Sequence, residues 1–163
     1  PKPVIMLAEG AAMAGGLGML CAGDIVVVTE DCKFALTETT LGIPPAQIAP
    51  FVSQRIGLAK ARRIMLTAAR FTGKEAHEMG LADFVAKDAD DLKVIEADIK
   101  KGILKCAPGA NAVTKEIVLA TRHLTRKEMI EFAAKGFAER MLSDEGKEGI
   151  SSFIEKRKPK WSK

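Results

Sequence analysis

Short apolar runs alternate with glycine- and proline-marked breaks through the first half of the chain, and longer helical stripes fill the second half. Val4–Leu7, Ile25–Val28 and Lys33–Leu36 predict strands, the first two buried because no polar position interrupts them. Between the first two lies a stretch from Ala8 to Asp24 with a density of Gly and Ala that no ordinary surface helix needs. It predicts a helix opening after the first strand, with small residues allowing close approach to other backbone or to a ligand. Pro44, Pro45 and Pro50 keep regular structure out of the next loop. Phe51 to Gly57 predicts a helix ended by its glycine. Leu58 to Ala68 predicts a stronger one, with Leu58, Ala61, Ile64 and Met65 on one face. Thr72-Gly73-Lys74-Glu75 has capping-box spacing, so a helix begins there and stops at Gly80, a natural left-handed cap. Leu81 to Val85 then reads as a short strand.

From Asp88 onward the pattern is wholly helical. Leu92, Ile95, Ile99 and Ile103 form one stripe, and Ala110, Val113, Ile117 and Ala120 a second after the Pro108-Gly109 break. Ile130, Ala133, Phe137 and Met141 form a third, and a final short helix carries Ile150, Phe153 and Ile154. The expected architecture is α/β, with a mixed region over residues 1–87 and a helical layer over residues 88–163 that is not an independent domain. The chain opens at Pro1-Lys2-Pro3 without an initiator Met and enters a buried-looking strand at once. A parallel strand of that kind has neighbours on both sides, so a preceding segment of the native protein is expected.

Composition changes this picture little. At 163 residues, 47% hydrophobic and 28% charged, the chain suits one ordinary globular domain and not a disordered segment. The net charge of +4 is mildly basic and favours an anionic ligand only where the charge is concentrated. Cys21, Cys32 and Cys106 are odd in number and widely spaced, which argues against a zinc site or disulfide framework and for a reducing, cytoplasmic setting. The mitochondrial matrix is the alternative if a transit peptide has been removed. No apolar run approaches the roughly 18–20 residues of a membrane span, and no signal peptide is visible.

Two places invite chemistry. Gly10 and Gly15 are spaced superficially like a phosphate loop, but Gly16-Leu17 follow where such a loop needs Lys and then Ser or Thr, and the dinucleotide fingerprint does not fit either. Two readings remain: an oxyanion hole formed by the N–H of Gly15 or Gly16, or small residues that merely allow tight packing. Glu38 follows a strand among apolar and Thr neighbours. Partial desolvation would suit it to moving a proton near neutrality, the alternative being a capping or surface carboxylate. Asp24, at a helix–strand junction, reads as structural. Ser151 and Ser152 have no adjacent His, His77 reads as exposed, and His123 follows a helix C-terminus. Glu155 to Lys163 is the densest positive charge. It is open to three readings: a solvated terminus, a clamp for a ligand's phosphates, or a nucleic-acid patch, the last weakened by one Trp and no Tyr.

Taken in order, these residues resemble the crotonase superfamily, the enoyl-CoA hydratases and isomerases. Lys2-Pro3-Val4-Ile5, Gly10-Ala11-Ala12 and Ala14-Gly15-Gly16-Leu17 resemble the family's oxyanion stretch, and Cys21-Ala22-Gly23-Asp24-Ile25 the segment after it, with Gly23 in place of the usual Cys. Lys33-Phe34-Ala35-Leu36-Thr37-Glu38 and Leu41-Gly42-Ile43 continue the likeness. So do Leu66-Thr67, Phe71-Thr72, Glu75-Ala76, Gly80-Leu81, Ser143-Asp144-Glu145-Gly146 and Gly149-Ile150 through Arg157.

The resemblance implies a ββα spiral core with a C-terminal helical layer for trimerisation. It implies an acyl-CoA substrate whose thioester carbonyl is polarised by the Gly15 N–H, and a catalytic Glu38. Gly16, Gly18, Leu41, Phe153, Lys156 and Lys158 fall in regions that bind substrate or CoA, the last three often across a subunit boundary. No metal and no separate cofactor are implied, since coenzyme A belongs to the substrate. The usual assembly is a homotrimer or homohexamer, with no membrane partner and nucleic acid disfavoured. Three departures stand out. Hydratases carry a second glutamate where this chain has Gly18, and a single Glu in this context is similar to the delta-3, delta-2 enoyl-CoA isomerases. The Pro44-Pro45-Ala46-Gln47-Ile48 loop resembles hydratases of branched glutaconyl-type thioesters. The family's first half, with the other oxyanion donor, has no counterpart here, so this chain alone is expected to be incomplete. Hydration is the favoured activity, double-bond isomerisation the alternative, and a noncatalytic or RNA-binding relative the further one.

Overall fold

The structure, a computed structural model, describes residues 1–162. Its contacts divide the chain into two compact units, one of Val4–Asp98 and one of Pro1–Pro3 with the chain from Ile99 onward. The first unit holds β1 (Ile5–Ala8), β2 (Ala11–Met13), α1 (Gly15–Ala22), β3 (Ile25–Thr29), β4 (Lys33–Ala35) and a 3-10 turn (Glu38–Leu41). It continues with α2 (Ala49–Leu66), β5 (Arg70–Thr72), α3 (Gly73–Glu78) and β6 (Phe84–Ala86), after which α4 (Ala89–Leu104) begins.

The strands are dealt into two small sheets. β1, β3 and β6 form a parallel sheet in that order, with Ile5 opposite Ile25 and Val27 opposite Phe84. β2, β4 and β5 form the other, parallel between β2 and β4 and antiparallel between β4 and β5. Gly10, with φ 74°, is the bend that takes the chain from β1 in one sheet to β2 in the other. The continuous Val run of β3 is fully buried, as a central parallel strand should be. β1 is an edge strand, which leaves Leu7 exposed where an all-buried strand was expected. Leu17, Leu20, Val52, Ile64 and Leu81 fill the core, and the rings of Phe34 and Phe71 stack at 5.4 Å across the second sheet.

Most of the expected elements are present, with shifts that have local causes. α2 carries a break at Gly57 (φ 78°, ψ 159°), where the glycine ends one helical run and the next begins. Leu58, expected on the buried face beside Ala61, Ile64 and Met65, is exposed instead, at the start of the run that follows the break. The capping box is made: Thr72 Oγ1 accepts from the Glu75 N–H at 3.3 Å and Glu75 Oε2 from the Thr72 N–H at 2.7 Å. The expected strand at Leu81–Val85 is confined to Phe84–Ala86, since Leu81 and Ala82 give their N–H groups to the Ala76 carbonyl.

Arg55, only 12% exposed, ties α2 to the rest of this unit. Its Nε donates to the Leu81 carbonyl at 2.7 Å, one terminal nitrogen to the Gly23 carbonyl at 3.1 Å, and the other to Asp83 Oδ2. Asp83 Oδ2 also accepts from the Val26 N–H at 2.7 Å, so one guanidinium joins α2, the end of α1 and the strand β3.

In the second unit α5 (Pro108–Ala120), α6 (Arg126–Leu142) and α7 (Asp144–Ile154) pack in sequence. Pro108 opens α5, a Thr125–Glu128 capping box opens α6, and Ser143 Oγ accepts from the Gly146 N–H at 3.1 Å to open α7. Gly136 of α6 faces Val113 of α5 so closely that a Cβ there would lie 2.9 Å from Val113 Cγ1. The stripe of Ile130, Phe137 and Met141, and Ile150, Phe153 and Ile154 of α7, are exposed.

Replacing Arg55 by Met keeps the stem but takes a donor from the Leu81 and Gly23 carbonyls and from Asp83, which retains the Val26 N–H. It should cost about 3 kcal/mol in urea unfolding, more than Asp83→Asn.

Candidate active site

The site begins with the turn into α1. Ala14 is held at φ 47°, unusual for a residue with a side chain, and its N–H donates to the Ala35 carbonyl at 2.9 Å. Its carbonyl accepts from the Gly18 N–H at 3.2 Å. The N–H groups of Gly15, Gly16 and Leu17, in the first turn, have no intrahelical acceptor and lie at the positive end of the helix dipole. The strand that anchors Ala14 is also the one that delivers the carboxylate. Three residues beyond Ala35, Glu38 opens the 3-10 turn, where its carbonyl accepts from the N–H of Ile43 at 3.2 Å. The turn is fixed by Gly42 in the left-handed region and by Thr39 Oγ1, which donates to the Met65 carbonyl at 3.0 Å.

Gly15, Glu38 and the loop of residues 43–48 line one cleft of about 340 Å³. The loop is apolar except for Gln47, and it is turned by the Ala46 N–H on the Pro44 carbonyl at 2.8 Å and the Ala49 N–H on the Pro45 carbonyl at 2.9 Å. Glu38 is half-buried, and its Oε2 is shielded from solvent with no hydrogen-bond partner. A shielded carboxylate oxygen without a donor is uncommon in a folded protein and is free to accept a hydrogen bond from a group that fills the cleft.

The remaining candidate residues are distributed as follows. Gly16 lies in the first turn of α1 with room for a side chain, its nearest neighbour being Ala12 Cβ at 3.8 Å from a built Cβ. Gly18 has none, because a Cβ there would overlap Ile48. Leu41 shares the 3-10 turn with Glu38 but is exposed and does not line the cleft. Phe153, Lys156 and Lys158 belong to the other unit, all exposed, with Lys156 in the left-handed region just past α7. Asp24 is structural as expected: its Oδ2 accepts from the Val4 N–H at 2.7 Å. Ile48 and Gln47 went unremarked as individual residues, although the proline cluster beside them marked the loop.

Other chemistry is poorly served. Burial pushes the Cys21 and Cys32 thiols up to about 11, away from nucleophilic use. His77 sets Nδ1 3.1 Å from the Ala82 carbonyl. Among the described residues no cluster of three or more His, Cys, Asp or Glu side chains could hold a metal. No helix among them is long and apolar enough to cross a membrane. The helical unit has a larger cleft of about 410 Å³, walled by Val113, Ile117, Phe137, Ile150 and Trp161. Its carboxylate, Glu145, is already engaged by the Gly109 N–H at 2.9 Å, so no acid–base group is left open there.

The basic C-terminal stretch is tied down. Glu148 accepts from two nitrogens of Arg157, at 2.6 and 3.1 Å, and from the Lys160 N–H at 3.1 Å. Trp161 Nε1 donates to the Lys105 carbonyl at 3.2 Å. These bonds, Arg157 first, hold the Glu148 carboxyl down at about 2.

The family model described as Enoyl-CoA hydratase/isomerase matches residues 1–163. The chain is similar, at 33% identity over 162 residues, to a Bacillus subtilis protein named "Probable enoyl-CoA hydratase", covering 99% of this chain and 63% of that protein. It is 32% identical to a peroxisomal Delta(3,5)-Delta(2,4)-dienoyl-CoA isomerase of Arabidopsis thaliana, covering 99% of this chain and 59% of that one. Among solved structures, Pseudomonas aeruginosa AtuE superposes with a TM-score of 0.95 at 46% identity, covering 98% of this chain and 62% of that one. A Marinobacter aquaeolei enoyl-CoA hydratase/isomerase superposes at 0.93 and 39% identity, with 98% and 60% covered. The chain therefore spans about three fifths of the length of these relatives, and its fold is that of the crotonases.

The clamped carboxyl has a consequence for acid stability. A folded-state value near 2 against an ordinary 4.5 means that Glu148 contributes stability above about pH 4.5 and loses it as the pH falls towards 2. Fluorescence of Trp161, the chain's one Trp, should report an acid transition in this window that Glu148→Gln flattens.

Proposed function

The chain belongs to the enoyl-CoA hydratase/isomerase family, and from that premise we propose that the complete protein acts on enoyl-CoA thioesters through an enolate held at the N-terminus of α1. The observation that carries this is the shared cleft: Gly15, with its first-turn N–H, and Glu38, with an unpartnered oxygen, line the same small space. The thioester oxygen accepts from the Gly15 N–H, and the negative charge that develops there is stabilised by the unpaired N–H groups and the helix dipole. In water addition, Glu38 takes a proton from water as hydroxide bonds to the β-carbon. The double-bond electrons move onto the thioester oxygen, and Glu38 returns the proton to the α-carbon as the enolate collapses. Coenzyme A enters and leaves as part of the substrate and is not a resident cofactor.

A second reading, double-bond migration, is favoured by the glycine at position 18. With one carboxylate in the cleft, Glu38 would take a proton from the α-carbon of a 3-enoyl thioester and return it to the γ-carbon. The exposed Phe153, Lys156 and Lys158 suit the nucleotide end of CoA, the lysines supplying charge for its phosphates. The exposed apolar faces of α6 and α7 suit burial in a homotrimer or homohexamer.

Replacing Glu38 by Gln in the complete protein should lower kcat by about 10²–10⁴-fold with the fold intact. Product analysis with 2-enoyl-CoA and 3-enoyl-CoA separates the two reactions. Undiminished turnover would place the base elsewhere.

A further inference from the structure

Of the three glycines that open α1, only one is sterically required. A Cβ built on Gly15 meets nothing within 4 Å, and one on Gly16 meets Ala12 at an ordinary 3.8 Å. A Cβ on Gly18 overlaps both Cγ2 and Cβ of Ile48 and comes within 3.6 Å of its Cα. The collision is with the root of the Ile48 side chain, so rotation of its far end relieves nothing, and a β-branched residue is stiff at that root. Nor can its backbone retreat easily. The Ile48 N–H donates to the Pro45 carbonyl at 3.3 Å, its carbonyl accepts from the Val52 N–H at 3.1 Å, and it is the N-cap of α2.

Gly18 stands three residues after Gly15, which puts both on one face of α1. Ile48 lines the cleft that Gly15 and Glu38 share. A side chain at position 18 would therefore enter the wall that Ile48 occupies. We propose that Ile48 is a specificity-determining residue of this cleft: it takes the side-chain space of position 18, keeps Glu38 the one carboxylate there, and presents an apolar wall beside it. This rests on the enolate reading above. A water molecule held for addition needs about two to four polar partners. Beside Glu38 the 43–48 loop offers the side chain of Gln47 and otherwise Ile, Pro and Ala. Proton transfer between carbons is thus favoured relative to water addition, and opening the wall should reverse that bias.

The test uses the full protein in two steps. The first is thermal unfolding of Gly18→Ala with Ile48 present and in the Ile48→Gly background, where glycine remains an acceptable N-cap. Gly18→Ala should lower the unfolding temperature in the parent and have little effect once Ile48 is Gly. An equal loss in both backgrounds would overturn the steric claim. The second is product analysis, from 2-hexenoyl-CoA and 3-hexenoyl-CoA, for the parent and for Ile48→Gly combined with Gly18→Glu. The ratio of water addition to double-bond migration should rise about 10²-fold in the double variant, the low end of what one acid–base group supplies. A parent that converts either substrate, with no change of ratio in the double variant, would overturn the role of Ile48 alone. A parent that converts neither would overturn the enolate reading, and the role of Ile48 with it, whatever the unfolding data show.

Discussion

The close approach of α1 to the segment that enters α2 is the constraint on which the candidate site depends. Gly18 lies against Ile48 with no room for a side-chain atom between them, while Leu17, Leu20 and Cys21 of the same short helix are buried in the core. Small residues are what make this possible. A bulkier α1 would have to stand off from the 43–48 loop, and the cleft between its first turn and Glu38 would open. The β4 strand closes the arrangement from the other side, since the Ala35 carbonyl holds Ala14 while the chain just beyond it turns to present Glu38. One strand end thus sets both the amide donors and the carboxylate.

That economy explains why the site was partly legible in the sequence. Gly15 and Glu38 could be picked out because each sits where a strand gives way to a turn or helix, and the ordered resemblances around them named the chemistry. The partner of Gly18 could not. Ile48 is thirty residues away by number, in a loop that the prolines marked as irregular and the resemblance likened to certain hydratases, with nothing to link it to Gly18. Its contact with α1 exists through tertiary packing alone, and no local pattern encodes it. Two of the three-residue strands, β2 and β5, escaped for a related reason: neither is long enough to show a period of two, and each is strand only because β4 offers it a partner. Gly57 was the reverse case. Its local preference was strong enough to predict the break inside α2, but not that the break would leave Leu58 facing outward.

The helical unit follows a different logic. Its helices are opened by local devices, Pro108, the Thr125–Glu128 box and Ser143, of which only the Pro108-Gly109 break was read from the sequence. What those signals do not specify is which apolar faces find partners within the chain. The stripe containing Phe137 and Met141 had the right period for a buried face and is exposed. The charged tail, open in the sequence to three readings, is folded back through Arg157 onto Glu148, with Trp161 tied to Lys105. Arginine is suited to that task, since its planar fork meets both oxygens of Glu148.

Enolate formation can be observed apart from either overall reaction. A saturated acyl-CoA has no double bond to hydrate or migrate, so exchange of its α-protons in deuterated water reports only proton removal beside a polarised thioester. Followed by NMR with the complete protein, exchange well above the buffer rate, abolished by Glu38→Gln, is the result expected if Glu38 works against an enolate held by the first turn of α1. Binding of the thioester without α-proton exchange would contradict it.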